Sequence, residues 1–107
     1  MAYNLGDLKS LISVDPVQQD MQFLKISLRN SIILRMREKG WTQQQAADVM
    51  GVSQPRVSAL NQAKLEEFSI EKLIEMLLKT GSRLQVDSKE SDGETAFLAM
   101  TFNKVAI

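Results

Sequence analysis

Between Met21 and Met36 the apolar residues return every third or fourth position: Met21, Leu24, Leu28, Ile32, then Arg35 or Met36. That period predicts one stripe of a long amphipathic helix. Asp15-Pro16 supplies its start, a side-chain acceptor before a proline whose fixed φ suits the first helical position, and Lys39-Gly40 supplies its stop. Thr42 and Gln45 form a capping box that starts a second, short helix at Gln43, with Ala46, Ala47 and Met50 inward and Gly51 at its end. Ser53 caps a third helix running to Asn61; Pro55 is tolerated in its first turn, and Val57 and Leu60 form its inner face. Phe68-Ser69 opens a fourth, with Ile70, Leu73, Ile74, Leu77 and Leu78 as its stripe and Gly81 as its stop.

Beyond Gly81 the period changes to two. Leu84 and Val86 alternate with Arg83, Gln85 and Asp87, a Ser-Asp-Gly-Glu turn follows, and Ala96 to Phe102 reads as a second strand. The expected fold is mainly α: a four- to five-helix helix-turn-helix domain over residues 16–81, then a short C-terminal β-hairpin over 82–107. Residues 1–15 form an N-terminal extension whose apolar scatter fits one short helix or a loose lead. A two-residue turn at Asp92-Gly93 would pair Val86 with Ala99 and Leu84 with Thr101, leaving apolar side chains on both faces of the hairpin. Either a longer loop shifts the register by one, or a partner subunit covers the second face.

Composition narrows the chemistry. With 107 residues and 44% hydrophobic content, one domain with an ordinary core is expected. The absence of Cys and His removes thiolate nucleophiles, imidazole bases, disulfides and nearly all zinc sites, so no cofactor or metal is expected. An enzyme is a poor reading, because scattered carboxylates offer neither a paired spacing nor a nucleophile. No signal peptide is recognisable and no stretch approaches the roughly 18 apolar residues of a membrane span, so the expected location is the cytoplasm. Net charge is zero but segregated. Residues 21–64 carry seven basic against two acidic side chains, +5, while residues 65–107 come to −3 and residues 1–20 to −2. Attraction to phosphate depends on that local field.

The second helix, Gly51 and the third helix have the spacing of a helix-turn-helix: a small residue at the crossing (Ala47), a glycine in the turn, and branched apolar residues that pin the second element. The outer face of the third helix keeps Gln54, Arg56, Ser58 and Asn61, amides and a guanidinium suited to bidentate bonding of bases. The run from Trp41-Thr42-Gln43-Gln44-Gln45-Ala46-Ala47 through Gly51-Val52-Ser53-Gln54-Pro55-Arg56-Val57-Ser58, with Lys64 and Phe68-Ser69, resembles the Cro-like (XRE) repressors, and within them the branch of Hig-type antitoxins. The resemblance spans residues 20–86. It implies a homodimer on a palindromic operator in double-stranded DNA, the third helix in the major groove, and a cognate toxin as protein partner. It implies DNA-contact roles for Gln43, Gln54, Arg56 and Ser58; with the neighbouring polar positions the candidate DNA-binding set is Thr42, Gln43, Ser53, Gln54, Pro55, Arg56, Ser58, Asn61 and Lys64. Ala63 departs from the family, which has glycine before the lysine, and so predicts a differently shaped end to the recognition helix.

Plainer readings compete. Gln43 and Gln44 are also ordinary solvent-facing helix formers, Ser53 is first of all a cap, and Ser58 can bond within its own helix. Arg56 can pair with Asp48 or Glu67, and Trp41 is better placed to pack between helices than to stack on a base. The basic residues of the first helix can merely solvate a face. The rival function is a protein-interaction module whose acidic C-terminal part binds a basic partner without reading DNA.

Overall fold

In a computed structural model the described residues are 15–91 and 95–104. Among the described residues four α-helices come first: α1 (Pro16–Lys39), α2 (Gln43–Met50), α3 (Gln54–Asn61) and α4 (Ile70–Lys79), with a 3-10 turn at Leu65–Glu67 between the last two. The antiparallel strands β1 (Ser82–Ser91) and β2 (Thr95–Lys104) complete the mainly α architecture. Residues 1–14 of the expected N-terminal extension, and the Asp92-Gly93 turn, lie outside the described residues.

Each helix boundary has a local cause. The Asp15 carboxylate accepts from Val17 N–H, and Gly40 ends α1 in the left-handed region at φ 65°. The capping box of α2 is complete: Thr42 Oγ1 accepts from Gln45 N at 3.1 Å, and Thr42 N donates to Gln45 Oε1 at 2.9 Å. Ser53 and Ser69 cap α3 and α4 in the same manner, accepting from Arg56 N and Lys72 N. Ala63 also takes a left-handed φ, 58°. The end of α3 therefore adopts the backbone that glycine prefers, correcting the expectation of a different shape, and the alanine bears the steric cost.

The core lies where α1, α2, α3 and α4 meet: Leu28, Ile32, Ala46, Ala47, Met50, Val57, Leu60, Phe68, Leu73, Met76 and Leu77 are nearly or fully buried. Trp41 packs against that cluster, as expected. Two helical stripes depart from expectation. Met21 is 48% exposed, because α1 is 24 residues long and its first turns run beyond the body. On α4, Met76 takes the buried place expected of Leu78, which faces outward. Arg35 and Met36 are both buried.

The hairpin register is Leu84 opposite Phe102, Val86 opposite Met100 and Ser88 opposite Leu98. That is one residue away from the two-residue-turn pairing, and the consequence is large. Directly opposed residues share a face, so Leu84, Val86, Leu98, Met100 and Phe102 all lie on one side rather than two. Phe102 packs against the core, while Val86 and Leu98 remain 51% and 62% exposed.

The strain at Ala63 gives a direct test. Ala63→Gly removes the left-handed Cβ penalty but adds unfolded-chain entropy, so the net gain in stability is about 0.5–1 kcal/mol. A urea melt of the two proteins reads it; an unchanged or lower midpoint would show that Ala63 is not strained.

Candidate nucleic-acid interface

The α2–α3 unit is held by short-range chemistry. Gly51 ends α2 at φ 67°, its N–H bonded to the Ala47 carbonyl, and a Cβ there would lie 3.1 Å from Lys79 Nζ. That lysine is tied to Glu75 at 3.1 Å. The hydrogen bond from Lys79, with the charge of Lys72 beside it, holds the Glu75 carboxyl below its usual range. The left-handed backbone favours glycine at position 51, whereas the crowding is only with the tip of a flexible, half-exposed lysine.

Across the turn, Gln54 Nε2 donates to Gln43 Oε1 at 3.0 Å. The first residues of α2 and α3 are thereby linked through their side chains, with Gln54 exposed and Gln43 half-buried. The linked amides retain a free carbonyl on Gln54 and free N–H groups on both residues, the donor and acceptor pattern that can bond a base edge or a phosphate. Thr42 and Ser53 sit one residue before each glutamine, exposed, with their hydroxyls engaged as caps.

At 100° per residue, Val57 and Leu60 turn inward, so Gln54, Pro55, Ser58 and Gln62 mark the outer side of α3. Gln62 Nε2 donates to Ser58 Oγ at 3.2 Å. Gln62 is an addition to the expected set. It was missed because α3 ends at Asn61, yet the four-residue repeat Gln54, Ser58, Gln62 was legible in the sequence. Asn61 and Lys64 are exposed at the far end of the helix. Arg56 lies on its flank: its Nη1 donates to the Glu67 carbonyl at 3.0 Å and its guanidinium stacks 4.7 Å over the Phe68 ring. Its partner is thus a backbone oxygen and an aromatic face, not the carboxylate of Asp48 or Glu67.

The basic cluster divides in the same way. Lys25 Nζ donates to the Leu65 carbonyl at 3.3 Å, Arg29 to the Leu60 and Asn61 carbonyls, and Arg35 to the Thr80 carbonyl at 2.9 Å. With Arg56, four of the seven cations in residues 21–64 are engaged internally. Arg37, Lys39 and Lys64 are exposed and have no hydrogen bond or ion pair among the described residues. Those three carry the freely available positive charge beside the α2–α3 unit.

A sequence family described as a helix-turn-helix domain matches residues 14–89, most of the chain. The chain belongs to that family. Membership gives this chain a helix-turn-helix DNA-binding domain. Among solved structures it shares the fold of a "Putative XRE Family Transcriptional Regulator", with a TM-score of 0.67 and 23% identity over 84% of this chain and 96% of that one. Among curated proteins, none matches. No helix among the described residues is long and apolar enough to cross a membrane.

For Arg56 the geometry sets an expectation independent of DNA. Arg56→Met keeps much of the stem but loses the ring contact and the charge-assisted bond to the Glu67 carbonyl, which should cost about 1–2 kcal/mol of stability. Gln43→Ala, which removes only an exposed amide bond, should cost far less. Chemical denaturation of both variants checks this; equal stability for Arg56→Met and wild type would free the arginine for another role.

Proposed function

We propose that this helix-turn-helix protein is a sequence-specific transcriptional regulator that binds a palindromic operator as a homodimer, and that it represses its own operon as antitoxin to a toxin encoded beside it. The observation that carries the DNA reading is the Gln43–Gln54 amide pair, mounted on two helices whose N-termini are each fixed by a hydroxyl cap. In this reading α3 enters the major groove. Gln54, Ser58, Asn61 and Gln62 meet base edges, Pro55 gives apolar contact, and Thr42, Gln43, Ser53 and Lys64 meet phosphates. Arg56, committed to Phe68 and Glu67, braces the helix rather than reading guanine.

Two surfaces support the protein partners. The apolar face of Leu84, Val86, Leu98 and Met100 is contiguous and exposed, the character of a dimer interface rather than a solvated sheet. The first turns of α1 expose Val17 and Met21 on one face and Phe23 on the opposite one, apolar positions suited to a second protein. The toxin itself rests on the likeness to Hig-type antitoxins.

Selection from randomised duplexes tests the function. A palindromic consensus with half-sites about one helical turn, roughly 34 Å, apart is expected. Affinity should fall with salt at a log–log slope of roughly −0.9 per phosphate neutralised. Absence of any consensus, with affinity indifferent to salt, would sink the reading. For the antitoxin role, co-expression with the adjacent reading frame should relieve the growth arrest that frame causes alone.

Gln54→Ala should lose about 1–3 kcal/mol of discrimination between consensus and scrambled duplex, whereas Lys64→Ala should weaken both alike. A double-mutant cycle of Gln43→Ala with Gln54→Ala should be non-additive, because the first loss already frees the second amide. Strict additivity would mean that the pair does not act as a unit.

The hairpin makes a separate prediction. Val86→Glu places a charge on the exposed apolar face without touching the buried core, so the chain should remain folded by circular dichroism but sediment as a monomer at concentrations where wild type is a dimer. A Val86→Glu protein that is still a tight dimer would place the interface elsewhere, α4 being the first alternative.

A further inference from the structure

The end of the recognition helix poses a bonding problem. The last carbonyls of any helix lack partners in the next turn. Here the Ser58 carbonyl accepts from Gln62 N, Ala59 from Lys64 N and Leu60 from Ala63 N, each at 3.0 Å. The Asn61 carbonyl takes its bond from α1 instead: Arg29 Nη2 donates to it at 2.7 Å, while Arg29 Nε donates to the Leu60 carbonyl at 3.0 Å. One guanidinium therefore grips two successive carbonyls at the negative end of α3. A turn earlier on α1, Lys25 holds the Leu65 carbonyl where the chain enters the 3-10 turn. Arg29 is half-buried, and these bonds are charge-assisted, so they are stronger and more directional than ordinary surface contacts.

We propose that Arg29 is a positioning residue for operator discrimination: it touches no base, but it fixes the end of α3 against α1 and so sets the angle at which Gln54, Ser58 and Gln62 are presented. This rests on the DNA-binding reading above. A planar fork can hold two carbonyls at once, whereas a lysine ammonium offers the same charge without the fixed geometry. The inference separates two roles that a basic residue beside a DNA-binding helix can have. A phosphate contact raises affinity for every sequence and steepens the salt dependence. A positioning residue changes the ratio between sequences and leaves the salt slope alone.

The test uses the full chain with two duplexes, the consensus selected by the wild-type protein and a scrambled duplex of the same composition. Arg29→Met removes the donors and keeps much of the aliphatic stem; Arg29→Lys keeps the charge. In Arg29→Met the ratio of consensus to scrambled affinity should fall about tenfold, with the salt slope on the scrambled duplex unchanged, and Arg29→Lys should recover little of it. Amide exchange of the free proteins supplies a readout without DNA. The Ala63 and Lys64 amides should exchange about tenfold faster in both variants, while slow amides of α4 such as Leu77 keep their wild-type rates, which separates local release from general destabilisation. If Arg29→Met does not fold, Arg29→Lys carries both measurements.

An unchanged discrimination ratio in the variants would overturn the proposal. So would a salt slope reduced by about 0.9, which would make Arg29 a phosphate contact, or full rescue by lysine, which would leave charge alone as the cause. If the wild-type chain selects no consensus, the DNA reading fails and Arg29's role in it fails too. A wild-type consensus with intact discrimination in both variants removes Arg29 alone.

Discussion

Helix α3 has eight residues, of which two, Val57 and Leu60, are fully buried. A helix of that length is not stable by itself in water. Everything that keeps it helical must come from outside, and the surrounding structure is organised around that need. Its start is held by the Ser53 hydroxyl and the link from Gln54 to Gln43; its flank by Arg56 on Phe68 and the Glu67 carbonyl; its end by Arg29 on two carbonyls. The outer face can then remain polar, because no outward side chain is needed for packing.

Helix α1 supplies the same device twice. Arg29 binds the C-terminal carbonyls of α3, and Arg35, buried among apolar side chains, donates to the Thr80 carbonyl just past the end of α4. Both use a fixed cation against the negative end of a helix. At the second site Gly81 follows with φ 98°, and a Cβ there would come within 3.1 Å of Arg35 Nη2, so the chain can turn from α4 into β1 only with glycine in place. Arg35 also pairs with Glu38 at 3.4 Å, which offsets part of the cost of burying its charge. One helix thus sets both the pose of α3 and the departure of the hairpin.

The parts of this structure that sequence alone revealed are those whose causes are local. Helix caps, helix-ending glycines and the inward pattern Ala46, Ala47, Met50, Val57, Leu60 involve residues within one or two turns of each other, and the expected helices were found where those signals lie. The roles of Arg29 and Arg35 were not legible, because their partners stand 31 and 45 residues away. Nothing in the pattern around position 29 distinguishes a carbonyl clamp from a solvated lysine-like surface charge. Met21 was misassigned for a related reason: helical periodicity shows which side of a helix is apolar but not how far the neighbouring helix extends. The hairpin register turned on the length of the connection: of the two alternatives the pattern left open, the pairing found is the one-residue shift of a longer loop, and such a shift moves every side chain to the other face.

Charge was the most misleading of the simple signals, and the reason is physical. A surplus of +5 over residues 21–64 suggests a cationic surface waiting for phosphate, but a formal count does not distinguish a solvated ammonium from a guanidinium already satisfied by carbonyls. Four of those cations spend their donors within the protein, stabilising helix ends and a flank, and their field is partly cancelled by the helix dipoles they neutralise. What remains unengaged in that segment is a smaller set, Arg37, Lys39 and Lys64, beside a polar face rich in amides. In the proposed reading such a surface draws less on non-specific attraction and more on the fit of Gln54, Ser58 and Gln62 to particular bases. Fit of that kind is only as good as the fixity of the helix that presents it, so cations withdrawn from the phosphate field and committed to holding α3 shift the balance from affinity toward selectivity.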